Sequence, residues 1–330
     1  MHEILILIII LAVFFDIANG WHDCANAIAT VVSTKVMSPM QAVVLAAGMN
    51  ILGAFLSTAV AKTIGTGIVD PMAVTDIVII SALLSAILWN IITILLGLPV
   101  SSSHALFGGI AGAAMAHGGA GILNVGGIIK ILTSLLVSPI MGIVFGYLFM
   151  KLILRLFGQL SPGVISKYFG RLQIVSSSFM AFGHGSNDAQ KSMGIITMAL
   201  MSGGALPQGS DVPKWVILIC ALAMGFGTLF GGWKIIKTLG VKMLKLEPIH
   251  GFAAETSSAA IIIASSHLGM PVSTTHVVSA AILGVGATKR LSAVRWGIAG
   301  KIVMAWVLTL PACIGMAWGI QKTLAYYHIG

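Results

Sequence analysis

"GWHDCANAIAT" (residues 20–30) follows an almost wholly apolar run from Ile4 to Phe15 and interrupts what reads as a first membrane helix. Asp16, Asn19, His22, Asp23 and Asn26 crowd into the positions from 16 to 26. A charge at membrane depth costs about 3 kcal/mol or more, so such residues usually mark a functional site. The stretch decides the fold because it is written twice. "ANGWHDCANA" (18–27) aligns with "FGHGSNDAQKS" (182–192), placing Gly20 over Gly185 and Asp23 over Asp188, half a chain apart.

Three further echoes follow in the same order. "GAFLSTAVAKTIG" (53–65) matches "GTLFGGWKIIKTLG" (227–240), and "GLPVSSSHALFGGIAG" (97–112) matches "GMPVSTTHVVSAAILG" (269–284). Pro139 matches Pro311 in the last helix of each half. A repeat of this kind sets the whole architecture. The expected units are a first repeat over 1–158, a short cytoplasmic linker over 159–171 and a second repeat over 172–330.

Composition agrees with a membrane protein: 58% of the 330 residues are hydrophobic and only 8% are charged, with a mean hydropathy of +1.03. Long apolar runs rich in Gly and Ala indicate helices and not a barrel, whose strands would alternate. The 39 glycines suit close helix packing and interrupted helices. The net charge of +9 sits in a few connecting segments, which reads as membrane orientation and not as nucleic-acid binding. Cys24, Cys220 and Cys313 are odd in number and scattered, with neither a disulfide framework nor metal-type spacing. His2 and Glu3 stand where a signal peptide would carry Lys or Arg, so the first segment reads as retained.

Each half reads as five elements: a helix broken by the Asp motif (4–35; 172–203), a long apolar helix (39–65; 213–240), an entering arm (74–98; 249–270), a returning arm (104–117; 276–287) and a long helix with a central Pro (126–157; 292–324). Lys151, Arg155, Lys167 and Arg171 place the join of the halves in the cytoplasm. The connection after the second element carries Asp70 and Asp76 in half one, with Lys62 at its edge, but Lys234, Lys237, Lys242 and Lys245 in half two. The connection after the returning arm is uncharged over 117–126, whereas its counterpart holds Lys289, Arg290 and Arg295. Opposite charge bias in equivalent loops is what an inverted repeat produces. The two arms then form a hairpin, the crossings per half are odd in number, and both termini lie outside. The fold class is an all-α polytopic membrane protein of two inverted-topology repeats, each with a broken first helix and a helical hairpin meeting at the membrane midplane.

The hairpin tips, Ser101-Ser102-Ser103 and Ser273-Thr274-Thr275, each follow a proline and precede a helix. Hydroxyls beside the free N–H groups of a helix N-terminus suit an anion. Asp23, Asp188 and Glu255 would repel an anion, which makes sense if a cation or a proton travels with it. Asn26, Asn187 and Gln190 offer neutral oxygens or amide donors, and Lys191 stands where half one has Asn26. His104 and His276, next to the tips, suit either packing or a proton relay. Asp16 has no polar counterpart in half two and is left out of the site.

At this point the chain resembles the inorganic phosphate transporter (PiT) family, on "GWHDCANAIATVVSTKVMSP", "GHGSNDAQKSMG", "PVSSSH" and "PVSTTH". The resemblance implies a phosphate symporter, a homodimer, and phosphate-binding by Ser101, Ser102, Ser103, Ser273, Thr274, Thr275, Asn26, Asn187 and Lys191. Coupling to a cation or proton would fall to Asp23, Asp188, Glu255, Gln190, His104 and His276. The chain is most similar to the bacterial low-affinity branch, whose members take up a neutral complex of phosphate with a divalent metal, driven by protons. Sodium-coupled animal members carry Glu where this chain has Asn50 and Asn where it has Lys191. The resemblance therefore implies proton-coupled uptake at the plasma (inner) membrane, with no fixed metal or cofactor and with sodium coupling as the alternative. Readings from other classes are an intramembrane serine hydrolase and an anion channel. A hydrolase needs one asymmetric nucleophile and base, whereas these residues are duplicated almost symmetrically.

Overall fold

The computed structural model describes residues 2–67, 69, 74–289 and 291–327; Asp70 and Arg290, used in the charge reading, lie outside them. Its helices are α1 (His2–Ser33), α2 (Pro39–Ala54), α3 (Ala59–Gly67), α4 (Asp76–Leu96), α5 (Ser102–Gly118), α6 (Val125–Phe157), α7 (Pro162–Ser202), α8 (Lys214–Leu229), α9 (Trp233–Lys237), α10 (Pro248–His267), α11 (Thr274–Lys289) and α12 (Trp296–Tyr326). Local signals explain several starts. Ser38 and Gln41 form a reciprocal cap ahead of α2, Asn124 caps α6, and prolines occupy the first turn of α2, α7 and α10. Helices α1, α4, α6 and α12 are long and apolar enough to cross a membrane, and the bent α8–α9 pair makes a fifth span if taken together. Helix α7 opens at Pro162, so most of the 159–171 linker is its first turns.

Two elements of each half differ from the sequence expectation. The first helix of each half is not broken: α1 runs through its Asp motif for 32 residues and α7 through its own for 41. Glycines there serve close helix crossing instead of a break. A Cβ on Gly20 would lie 2.4 Å from the Met224 carbonyl oxygen, and one on Gly185 would lie 2.1 Å from that of Asn50. The partner helices reciprocate: a Cβ on Gly227 would sit 2.1 Å from the Ile17 oxygen, and one on Gly53 would sit 2.0 Å from the Phe182 oxygen. Small residues on both faces let the backbones meet, as membrane helices require.

The interruption falls in the second element. Half one breaks between α2 and α3, and half two bends by 62° between α8 and α9. Amides freed by such a break must find acceptors away from water. The opposite half supplies them. Gln190 Oε1 accepts from the Val60 and Ala61 N–H groups at 2.8 and 3.2 Å, and Cys24 Sγ accepts from Gly232 N–H at 2.8 Å.

Both hairpins form as expected, α4 with α5 and α10 with α11, around tips at 97–101 and 269–273. Gly97 (φ 69°) and Gly269 (φ 64°) end the entering arms in the left-handed region that favours glycine. The tips are tied across the repeat, since Thr238 Oγ1 donates to the Gly97 carbonyl at 3.0 Å and Thr63 Oγ1 to the Gly269 carbonyl at 2.7 Å. Helix α1 packs on α8 and α2 on α7, while α5 packs on α12 and α6 on α11. Every one of these contacts joins one half to the other, and each has its exchange partner.

Candidate functional site

Asp23, in the second half of α1, is fixed by donors from both hairpins. Ser102 Oγ donates to its Oδ2 at 2.8 Å, Thr275 Oγ1 to its Oδ1 at 3.0 Å, and His22 Nδ1 lies 2.7 Å from Oδ1. Asn26, one turn on, donates to Thr275 Oγ1 at 2.9 Å and to Thr274 Oγ1 at 3.5 Å. Asp188 on α7 has looser company. Lys191 Nζ lies 2.9 Å from its Oδ2, Asn19 Nδ2 and Thr274 Oγ1 each donate at 3.4 Å, and His184 Nε2 lies at 3.6 Å. Ligand atoms of Asp23, His184 and Asp188 all fall within 4.8 Å of one another, a spacing that suits a metal ion.

The tips meet each other as well as the carboxylates. Ser103 Oγ donates to the Val272 carbonyl at 3.1 Å, and the His104 and His276 rings stand 4.7 Å apart, with His276 stacked on Trp306 at 4.0 Å. Ser101 and Ser273 act as helix caps, each accepting at 3.2 Å from the backbone N–H of the histidine three residues on. Two helix N-termini, with their partial positive charge, therefore converge beside the two carboxylates.

Other expected site residues sit elsewhere. Asn187 donates to Ser266 Oγ at 3.0 Å and to the Met270 carbonyl at 3.4 Å, bracing α7 against the second hairpin. Gln190 is committed at both ends, through the α3 cap and through a hydrogen bond to the Ser186 carbonyl. Glu255 accepts from Thr30 Oγ1 and Ser176 Oγ, and from Gln173 Nε2 at 3.1 Å. Thr30 follows Asp23 by two helical turns, so this carboxylate is reached about 10 Å along α1. Asp16 lies two turns the other way, fully buried and accepting from Ser192 Oγ at 2.7 Å. The structure thus threads three buried carboxylates along one face of α1, including the one that the repeat alignment sets aside.

Asn19, His22 and His184 are site neighbours that sequence reasoning did not select. Their signal is an exchange: Asn19 aligns with His184, and His22 with Asn187. The halves use the same two residue types in swapped positions. Asn50 then supports the second histidine, lying 3.0 Å from His184 Nδ1 and donating to Thr228 Oγ1 at 2.8 Å.

Almost every polar group here is sealed from solvent; Asp23, Asn26, Ser102, Thr274 and Thr275 are each 1% exposed, and Asp188 and Lys191 are at 0%. Yet Asn19 Oδ1, Asn26 Oδ1 and Asp188 Oδ1 have no donor. Buried acceptors of this kind normally have a partner. Oxygen-lined and net acidic, the cluster suits a cation on one side and, at the hydroxyl-bearing helix ends, an anion on the other.

Comparison with known proteins gives a consistent picture. The sequence pattern of the phosphate transporter family matches the chain twice, over residues 19–165 and 160–317. A Bacillus subtilis protein named "probable low-affinity inorganic phosphate transporter" is 50% identical over 308 residues, covering 93% of this chain and 92% of its own length. A Rhizobium meliloti protein of the same name is 49% identical, with coverage of 94% and 93%. Among solved structures, one described as "The sodium-dependent phosphate transporter" superposes with a TM-score of 0.90 at 26% identity, covering 98% of this chain and 99% of that one.

Proposed function

The chain belongs to the phosphate transporter family and is a membrane transporter, not an enzyme; on that premise we propose that it imports inorganic phosphate by symport, as a neutral complex with a divalent metal, driven by protons. The observation that carries this reading is the set of donorless buried oxygens beside Asp23, His184 and Asp188. A cation arriving as cargo would be held by those three side chains. Its phosphate would face Ser102, Thr274, Thr275, Asn26 and the N-termini of α5 and α11, where donors and helix dipoles favour negative charge. Asp23, Asp188 and Glu255 are the groups to carry a proton, with His104 and His276 at the tip contact.

The closed burial of the site corresponds to an occluded state. Release to either side requires one hairpin to leave the other, parting Ser103 from Val272 and His104 from His276. Alternate rocking of the two hairpin units would expose the site to each side in turn. The join of the halves lies in the cytoplasm and both termini outside, by the bias of Lys and Arg in the connections. Assembly as a homodimer in the plasma (inner) membrane rests on the family resemblance alone.

A sodium-coupled symporter is the second reading, favoured by the close superposition on a transporter described as sodium-dependent. Phosphate uptake into proteoliposomes, with proton gradient, sodium gradient and magnesium varied independently, decides between them. The expected result is accumulation that needs an inward proton gradient and divalent metal. Accumulation on sodium alone would establish the second reading, and no accumulation under any gradient would overturn both.

A further inference from the structure

We infer that Lys191 is a tethered cation that occupies one of the two cation positions of the central site and thereby sets how many cation charges travel with each phosphate. The inference rests on the symport reading. Its starting point is the duplicated backbone, which makes Asp23 and Asp188 equivalent and sets Asn26 against Lys191. In half one, the residue three places after the carboxylate is a neutral amide that turns away to Thr275. In half two it is an ammonium 2.9 Å from the carboxylate, with both partners at 0% exposure.

Two bare carboxylates this close in an apolar core would require two neutralising charges from outside. The lysine supplies one of them permanently, because its stem is covalently held and its head cannot leave with the cargo. The charged and titratable groups facing it are Asp188 and His184 on its own helix, Asp16 and Asp23 on α1, and His104 on α5. Counted by themselves, the two carboxylates of Asp23 and Asp188 and the ammonium of Lys191 leave one negative charge. A single monovalent cation then neutralises the occluded site. Without Lys191 the site would carry two negative charges and draw two such cations per cycle.

The experiment reads phosphate accumulation at equilibrium in proteoliposomes, at zero membrane potential, against graded gradients of the driving cation. Unaltered protein should accumulate phosphate roughly tenfold for each tenfold gradient, and Lys191→Gln roughly a hundredfold, since each added cation multiplies the attainable ratio by another factor of ten. Lys191→Arg should keep the unaltered slope. An unaltered slope in Lys191→Gln overturns the inference, as does loss of accumulation in Lys191→Gln. Either result leaves phosphate symport intact, whereas failure of the unaltered protein to accumulate phosphate would overturn the symport reading itself.

Discussion

The surroundings of Asp23 and Asp188 differ more than their backbones do. Asp23 receives hydroxyl donors at 2.8 and 3.0 Å from the two hairpins and has its own histidine at 2.7 Å. Asp188 receives longer bonds of 3.4 Å, keeps one oxygen without a donor, and depends on Lys191 for its close partner. Duplication preserved the helix crossings and the tips, while the side chains diverged. One half-site became a fixed clasp for both hairpins, and the other became a charge pair with unused coordination. A pseudo-symmetric scaffold can in this way divide two tasks between equivalent positions.

Neutralising each carboxylate in turn should separate the two half-sites most clearly. Asp188→Asn leaves an ammonium buried without its counter-ion, which costs about 3–5 kcal/mol when one partner of a buried pair is removed. Asp23→Asn leaves neutral donors short of an acceptor, a loss of about 1–3 kcal/mol. Both variants should lose gradient-driven phosphate uptake, but thermal unfolding in detergent should fall further for Asp188→Asn. Equal stability of the two would show that the half-sites are energetically alike.

The glycine crossings test the side of the molecule that has not diverged. Gly53→Ala and Gly227→Ala each bring a methyl within about 2 Å of a backbone oxygen of the opposite half. Overpacking of this kind costs about 1–3 kcal/mol, and here the two variants should shift the unfolding temperature by similar amounts. A large difference would mean that the halves do not share their packing. The smallest effect belongs to Lys62 and Asp211, an exposed pair at 2.6 Å between α3 and the loop before α8. The lysine holds the Asp211 carboxyl below the usual carboxylate range. The contact is therefore present at neutral pH and is lost only as pH falls through that lowered value. Asp211→Asn should leave unfolding temperature and uptake within error at neutral pH, because exposed pairs contribute little.

Much of this was legible in the chain. The paired Asp motifs, the two Pro-Val-Ser tips and the double proline pattern were enough to specify inverted repeats with meeting hairpins. Ser102, Thr274, Thr275 and Lys191 lie within 3.4 Å of the carboxylates. What could not be read was direction. Gly, Asn and Asp inside a helix look like breakers because they are poor helix formers in water. In α1 and α7 they are retained for close approach and for sideways hydrogen bonds, so the helix continues. Phe55–Thr58 is a weak break signal in isolation, since its stability comes from Gln190, a residue far away in sequence. For the same reason Gln190 and Asn187 look like ligands in the sequence: an amide beside a carboxylate along the chain points elsewhere once its helix is packed. Asp16 is hidden by the repeat itself, which highlights what both halves share and passes over what one half alone possesses.

The exchanged packing of α1 on α8 with α2 on α7, and of α5 on α12 with α6 on α11, has an ancestral implication. Such an interface is isologous, one patch meeting its own copy through a two-fold axis. A single half, inserted in both orientations in one bilayer, would carry every surface needed to recognise a second half. Fusion of two such genes into one chain then requires no new contact, only a connection. Once joined, each copy was free to change its polar residues separately, and Lys191 opposite Asn26 is the trace of that freedom.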